Sequence, residues 1–284
     1  MRIHHVHILS AICLTLGLVT WGLTACGGSQ PSLPDLSALG EIHAIAREEG
    51  SGTRAEFESL VGTDEKGAAQ VALSTGEAES LITADSNAIG YLAFSAVSTP
   101  DIKLISVDSV LPQEQTIRDN RYPLCRNYYL AYLGEPDALT TDFLAYVMSA
   151  GQGQVADFCI PVHTPSHFLS DRSSGTVTIT GSTSVAPLME QLAADYMTYN
   201  PNASIRIEAT DSSSGLTAAI RGECDLAMSS RSLKDYEAEL LEYQAIAYDA
   251  IAVAVNQASP LTNLSLSQLK GIYNGDFDRW TDVK

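Results

Sequence analysis

Three hydroxyl-rich turns carry most of the chemistry available to this chain. The first lies in IAREEGSGTRAEF (45–57), where Arg47 and two acids are followed by Ser51, Gly52 and Thr53. The second is in GTVTITGSTSVAPLMEQLAADYM (175–197), with Gly181, Ser182, Thr183 and Ser184 at its centre. The third is in SIRIEATDSSSGLTAAIRGECDLAMSS (204–230), which sets Asp211 to Gly215 before a short helical run and closes on Ser229-Ser230-Arg231. Ser, Thr and Asp before a helix are ordinary N-caps, and each turn alone has that reading. Together they suit a small oxyanion. Helix N-termini offer free N–H groups and a positive dipole end. Hydroxyls donate beside those amides, glycines admit close backbone approach, and Arg47 adds a charged fork. An anion held this way needs no basic surface.

Other chemistries lack their parts. There is no GxxxxGK[ST] and no GxSxG, so neither a P-loop nor a nucleophile elbow is written here. Past the leader only His43, His163 and His167 remain, with no HExxH or CxxC, so no metal site and no cofactor is expected. His43 reads as a structural strand residue rather than a triad base, and the chain is not expected to be an enzyme. The formal charge is −18, and no basic run interrupts it, which argues against nucleic acid as a partner. Cys125, Cys159 and Cys224 allow one disulfide with a free thiol, or three buried thiols.

The turns must be positioned by repeated α/β units. Each follows an alternating or β-branched run and precedes a helical one; in the second, Leu188, Leu192 and Tyr196 recur every four residues. In such units the strand ends gather on one edge, where ligands bind. With 284 residues, 45% of them hydrophobic, the chain can build one large or two modest cores. Residues 1–26 read as an export signal: Arg2, an apolar stretch from Ile8 to Leu23, then LTAC. The apolar stretch falls short of the ~20 residues of a comfortable membrane span. LTAC resembles a bacterial lipobox, which implies cleavage before Cys26 and lipidation of its sulfur; an ordinary signal with a coincidental Cys26 is the alternative. Residues 27–40 read as a flexible tether.

At the turns the chain resembles the PstS-like phosphate-binding proteins of bacterial ABC transporters. The similar segments are TGSTSVAPLMEQLAADY, DSSSGLTAAIRG with DLAMSSR, IAYDAIAVAVN, LSLSQLKGIYNGDFDRWTDV, AREEGSGTRAEFESLVG, STGEAESLITADSNAIGYLAFSAV and RYPLCRNYYLAYLG. They span nearly all of residues 41–284. The resemblance implies an α/β, two-lobed, periplasmic-binding-protein-like (type II, flytrap) fold with a central mixed sheet in each lobe. Mapped on this chain, one lobe is split, 41–110 with 255–284, and the other is continuous, 111–254. Hinges are expected near 107–112 and 252–257.

Carried over residue by residue, the resemblance implies phosphate binding by Thr183, Ser184, Ser212, Ser230, Arg47, Ser51, Gly52 and Thr53, with Glu49 orienting Arg47. Some relatives carry aspartate at the position of Ser230, where a carboxylate accepts the proton that phosphate has and sulfate lacks. Here Asp249 is the candidate acceptor, with Asp211 behind it; the other reading of Asp249 is a strand-end carboxylate capping backbone amides. The implied partners are inorganic phosphate, permease subunits and a membrane reached only through the lipid anchor. The implied state is an exported monomer at the outer face of the cytoplasmic membrane or in the periplasm. Another oxyanion (sulfate, molybdate, tungstate), bound by a receptor or sensor, is the alternative. A phosphoester hydrolase lacks both metal cluster and nucleophile pair.

The segment order is rotated relative to the family. Segments matching 175–284 come first there, and those matching 41–163 follow. The chain therefore resembles a circular permutant, its old ends joined by the polar 163–174; a piece of a longer tandem or truncated gene is the rival account. Permutation requires the exchanged ends to lie close together.

Overall fold

One long strand, Glu242–Asn256, carries the chain from one apolar core to the other. It belongs to a computed structural model that describes residues 35–97 and 99–283; the expected leader, its Cys26, residues 27–34 of the tether and Lys284 lie outside the described residues. In chain order the first elements are β1 (His43–Arg47), α1 (Gly52–Val61), β2 (Gln70–Ala72), α2 (Thr75–Ala84) and β3 (Ala88–Ala93). Next come β4 (Ile102–Leu104), β5 (Ser106–Val107), α3 (Glu114–Arg118), β6 (Cys125–Tyr132), α4 (Ala138–Val147), α5 (Gln152–Phe158) and β7 (Ile160–Pro161). Then follow β8 (Gly175–Ser182), α6 (Ala186–Tyr199), β9 (Ala203–Thr210), α7 (Ser212–Ile220), β10 (Leu226–Ser229) and α8 (Asp235–Leu240). The long strand is β11; β12 (Asn263–Leu264) and α9 (Leu266–Asn274) complete the set.

The main sheet runs β2-β1-β3-β11-β6-β10-β8-β9, with β4 and β7 also on β11. It is mixed: β1 is parallel to β2 and β3, and β8 is parallel to β9 and β10, while β11 is antiparallel to β3 and β6. Strand burial follows position. Interior β3 is buried along its whole length, whereas edge strand β9 alternates between half-buried and exposed residues, as its Ile205–Ile207 spacing predicts. On α6 the predicted stripe Leu188, Leu192 and Tyr196 is buried. A register shift in β11 between Ala245 and Ala247 is satisfied from outside the ladder, because Gln152 Nε2 donates to the Ile246 carbonyl at 3.1 Å.

The fold has two lobes, each with its own core. One core gathers Phe57, Tyr91, Tyr273, Trp280 and Val253, with Phe57 stacked on Tyr91 at 4.1 Å. The other gathers Tyr128, Phe143, Tyr146, Ile179, Leu192 and Tyr196. The change of core falls inside β6 and β11: Leu124, Ala250 and Ile251 pack in the first, Tyr128, Ile246 and Ala247 in the second. β5 pairs with β12, and Ile117 and Tyr122 join the first core. Leu36 and Leu39 are three residues apart, form a turn and bury against that core.

The two ends of the described chain meet, with Glu41 bridging Arg279 and the Ile42 amide donating to the Asp278 carbonyl at 3.0 Å. Residues 163–174 are strapped to α4: Ser170 Oγ donates to Asp142 Oδ2 at 2.7 Å and the Asp171 amide to Oδ1 at 3.0 Å. Among the described residues no helix is long and apolar enough to cross a membrane.

Candidate functional site

Parallel strands end together, so β8, β9 and β10 deliver their following turns to one edge, while β1, which runs the opposite way through β3, β11 and β6, brings its turn to face that edge from the other lobe. Register aligns Ser182 with Thr210 and Gly181 with Met228. Gly181 has φ +142°, and a Cβ there would lie 2.2 Å from the Met228 carbonyl oxygen, so only glycine lets these backbones approach. Helices α1, α6 and α7 start from these turns. Ser51 caps α1, accepting from the Arg54 amide, and Asp211 caps α7, accepting from the Ser214 amide.

The turns of the two lobes touch. Arg47 Nη2 donates to Thr183 Oγ1 at 3.2 Å, and the Thr53 and Ser184 hydroxyls are 3.1 Å apart. A Cβ on Gly52 would fall 2.2 Å from Ser212 Oγ and 2.7 Å from Ser230 Oγ, so the start of α1 lies directly on the serines of the other lobe. Those serines form a chain: Ser182 Oγ donates to Ser230 Oγ at 2.9 Å, Ser212 and Ser230 are 3.4 Å apart, and the Ser230 amide donates to Ser212 Oγ at 3.1 Å. Arg47, Gly52 and Thr53 are therefore brought together with Thr183, Ser184, Ser212 and Ser230, whereas Ser51 caps α1 and lines an outer groove. Ser212, Ser230 and Thr53 are wholly buried, and Arg47 is 1% exposed.

Two expectations need correction. Arg47 is oriented by Glu48, not Glu49: Nε and Nη2 donate to the two Glu48 oxygens, each at 2.8 Å. Glu49 sits in the following turn, exposed, and lines an outer groove with Arg54 and Lys234. Asp249 does not turn toward the serines with an open carboxylate. Its Oδ2 accepts from Arg126 Nε at 3.0 Å and lies 2.9 Å from Nη2 of the same guanidinium, and its Oδ1 accepts from the Ser95 amide at 3.0 Å. The capping reading is therefore the one the geometry matches, with an ion pair added.

Arg126 and Thr75 were not singled out from the sequence. Arg126 is fully buried and spans the lobes, donating from Nη1 to Thr53 Oγ1 at 2.7 Å and to the Ser230 carbonyl at 3.1 Å. Burial opposes its charge, but Tyr128 and the Asp249 carboxylate outweigh that and hold its pKa above the ordinary value. Its signal was a lone arginine on the inward face of an apolar strand, in register with Tyr128 and Leu130. Thr75 opens α2, accepts from Arg47 Nη1 at 3.1 Å and lies 3.1 Å from Ser184 Oγ. STGE, a Ser with Glu three residues on, was the legible sign of that helix start. Four helix N-termini thus converge on these hydroxyls, an arrangement suited to a dehydrated anion.

Behind Arg47 lies a second layer. The Tyr91 hydroxyl accepts from the Arg47 amide at 3.1 Å, and Arg54 Nη1 donates to the Arg47 carbonyl at 3.1 Å. Arg54 Nε also lies 3.2 Å from the buried Glu65 carboxylate. Burial pushes the Glu65 pKa up to about 7, against the opposing pull of Tyr91 and Arg54. Cys125, Cys159 and Cys224 are free thiols. Among the described residues no cluster of His, Cys, Asp and Glu could hold a metal.

Residues 21–150 and 168–284 match the PBP superfamily domain. The phosphate-binding protein PstS 2 of Streptococcus pneumoniae is 34% identical over 282 residues, covering 95% of this chain and 96% of that protein. The phosphate-binding protein PstS of Staphylococcus haemolyticus is 38% identical over 111 residues, 36% of this chain and 35% of its own. A crystal structure of a phosphate ABC transporter, phosphate-binding protein from S. pneumoniae TIGR4 superposes with a TM-score of 0.72 at 34% identity, covering 86% of this chain and all of that one. With a strand-turn edge of this kind, a family domain matched over most of its length and a relative matched end to end, the chain belongs to the PBP superfamily, among its PstS-like phosphate-binding proteins.

Proposed function

We propose that this protein captures inorganic phosphate between its lobes and delivers it to an ABC permease. What carries the reading is the meeting of Arg47, Gly52 and Thr53 from one lobe with Thr183, Ser184, Ser212 and Ser230 from the other. The phosphate-binding relatives named above support the choice of anion. In this reading Arg47 supplies the charged fork, the four helix starts supply amides, and the hydroxyls complete a dehydrated shell. Glu48 orients Arg47, and Arg126 holds Thr53 against Ser230. The protein binds and releases; no bond is made or broken in the cargo. Closure of the lobes around the anion is the hinge motion that signals a loaded receptor. Isothermal titration with inorganic phosphate tests it: saturable binding at one site per chain is expected, and no heat at millimolar phosphate would end the proposal.

The lobes, in this reading, comprise residues 41–124 with 251–284, and 125–250, following the change of core. The segment order is that of a permuted PstS. The paired ends at Glu41 and Arg279 and the strapped 163–174 segment support it. So does the partial match to the staphylococcal protein, since chains with exchanged blocks align in order over only one block at a time, whereas the end-to-end match to the pneumococcal PstS 2 means that relative shares the order of this chain. Cleavage before Cys26 and lipidation would hold a monomer at the outer membrane face. Cys26→Ala should then move the protein from the membrane fraction to the medium or periplasm, and retention in the membrane would exclude the anchor.

A further inference from the structure

We propose that Glu65 is a positioning residue for the anion site, its charge holding the backbone of Arg47 in place through Arg54 and Tyr91. This deepens the phosphate reading and rests on it. Arg47 ends β1, beyond the stretch of that strand paired with β3, which covers His43 and Ala44. Side chains hold its backbone there: the Arg47 amide donates to the Tyr91 hydroxyl at 3.1 Å, and its carbonyl accepts from Arg54 Nη1 at 3.1 Å. Both holders converge on Glu65. Arg54 Nε lies 3.2 Å from Glu65 Oε2, and the Tyr91 hydroxyl acts on the same carboxylate.

Glu65 is placed at a cost. Its side chain is wholly buried, and neither oxygen has a hydrogen bond of ordinary geometry. Its φ of +54° lies in the left-handed region that suits glycine. Thr63 Oγ1 fastens the loop, accepting from the Glu65 amide at 3.1 Å and donating to Asn274 Oδ1 at 2.8 Å. Strain and lost solvation of this kind persist where function uses them. Ionised, Glu65 draws Arg54 across to the Arg47 carbonyl. Protonated, it relaxes that pull and leaves Arg54 to Glu58, which already accepts from Nε at 2.8 Å. Burial puts the change at a pKa of about 7. The other groups facing Glu65 keep their charge state there: Tyr91 and Tyr273 are held well above the ordinary tyrosine range by burial, and Arg54 stays charged. Asp64 and Lys66, its chain neighbours, pair with each other at the surface. The Glu65 charge alone would repel an anion, but Arg54 at 3.2 Å offsets that field.

The test is calorimetric titration of the full chain and its Glu65→Gln variant with inorganic phosphate, at about pH 8 and about pH 5.5. Glutamine mimics the protonated acid, and the titration of phosphate itself cancels in the parent-to-variant ratio of affinities. The parent should bind at least about threefold more tightly at the higher pH, with the ratio returning to about one at the lower. A merely structural role gives a ratio that does not change with pH, and that result overturns the proposal while the phosphate reading stands. A variant that binds more tightly at the higher pH also overturns it, because the field of the charge would then outweigh its hold on Arg47. Tyr91→Phe keeps the ring stacked on Phe57 and removes only the hydroxyl, so it tests the second holder should Glu65→Gln not fold. Binding at least about threefold weaker than the parent is expected at the higher pH, and parent-like binding overturns the proposal. No phosphate binding by the parent at either pH overturns the phosphate reading and this role with it.

Discussion

Arg47 Nη2 bonds to Thr183 Oγ1 at 3.2 Å although 136 positions separate the two residues in the chain. The bond joins the end of β1 in one lobe to the turn after β8 in the other, so the proposed anion site exists only when the lobes are together. Neither residue holds this place by itself. Glu48 fixes the guanidinium plane, and Tyr91 and Arg54 fix the backbone that bears it.

Arg47→Ala removes the charged fork and leaves Glu48 without its partner. Phosphate affinity should fall by at least about tenfold, corresponding to ~1.5–3 kcal/mol for a lost charged hydrogen bond. Calorimetry reads this directly, and an unaltered dissociation constant would place the anion elsewhere.

Gly52→Ala tests closure apart from charge. Alanine suits a helix start, but its Cβ would strike Ser212 and Ser230 of the facing lobe. The variant should melt at or above the parent temperature without phosphate, yet bind at least about tenfold more weakly. Parent-like binding would mean that the lobes do not close on Gly52.

The Arg126–Asp249 pair has both side chains fully buried. Arg126→Met strands a carboxylate in the interior and should destabilise by ~3–5 kcal/mol, read from urea unfolding. Arg126→Met combined with Asp249→Leu should recover much of that loss. Simple addition of the two single effects would show that the ions are not coupled.

Glu65 makes stability depend on pH. Its pKa is about 7 in the folded protein against an ordinary 4.5, so the folded state keeps a proton that the unfolded chain has released. The contribution is complete below pH 4.5 and is lost as pH rises through about 7. Glu65→Gln should flatten that slope and stabilise the protein above neutrality by ~1–3 kcal/mol. Parallel stability curves for parent and variant between pH 5 and 8 would remove Glu65 from this role.

Glu56 on α1 reaches the Ser232 amide and hydroxyl of the facing lobe. Glu56→Ala should release phosphate a few-fold faster and leave association nearly unchanged, since an exposed latch acts after the encounter. Stopped-flow displacement separates the two rates; equal release rates would show that the latch does not hold the closed state.

Much of this protein was written locally. Alternation in β8 and β9, the stripe on α6 and the caps Ser51 and Asp211 are short-range properties, set by side-chain period and by orphan amides at helix starts, and the structure has them where the residues imply. The hydroxyl turns at the strand ends were legible for the same reason; that they face one another from two lobes was not. Glu48 over Glu49 was not, because neighbouring acids differ only in how the turn after β1 aims them. Arg126 was illegible for a stronger reason. Its meaning comes from antiparallel pairing of β6 with β11, which sets Arg126 opposite Asp249 and brings it under Thr53 of the other lobe. Local physics chose the elements and the polarity of their ends; long-range register chose which charges meet.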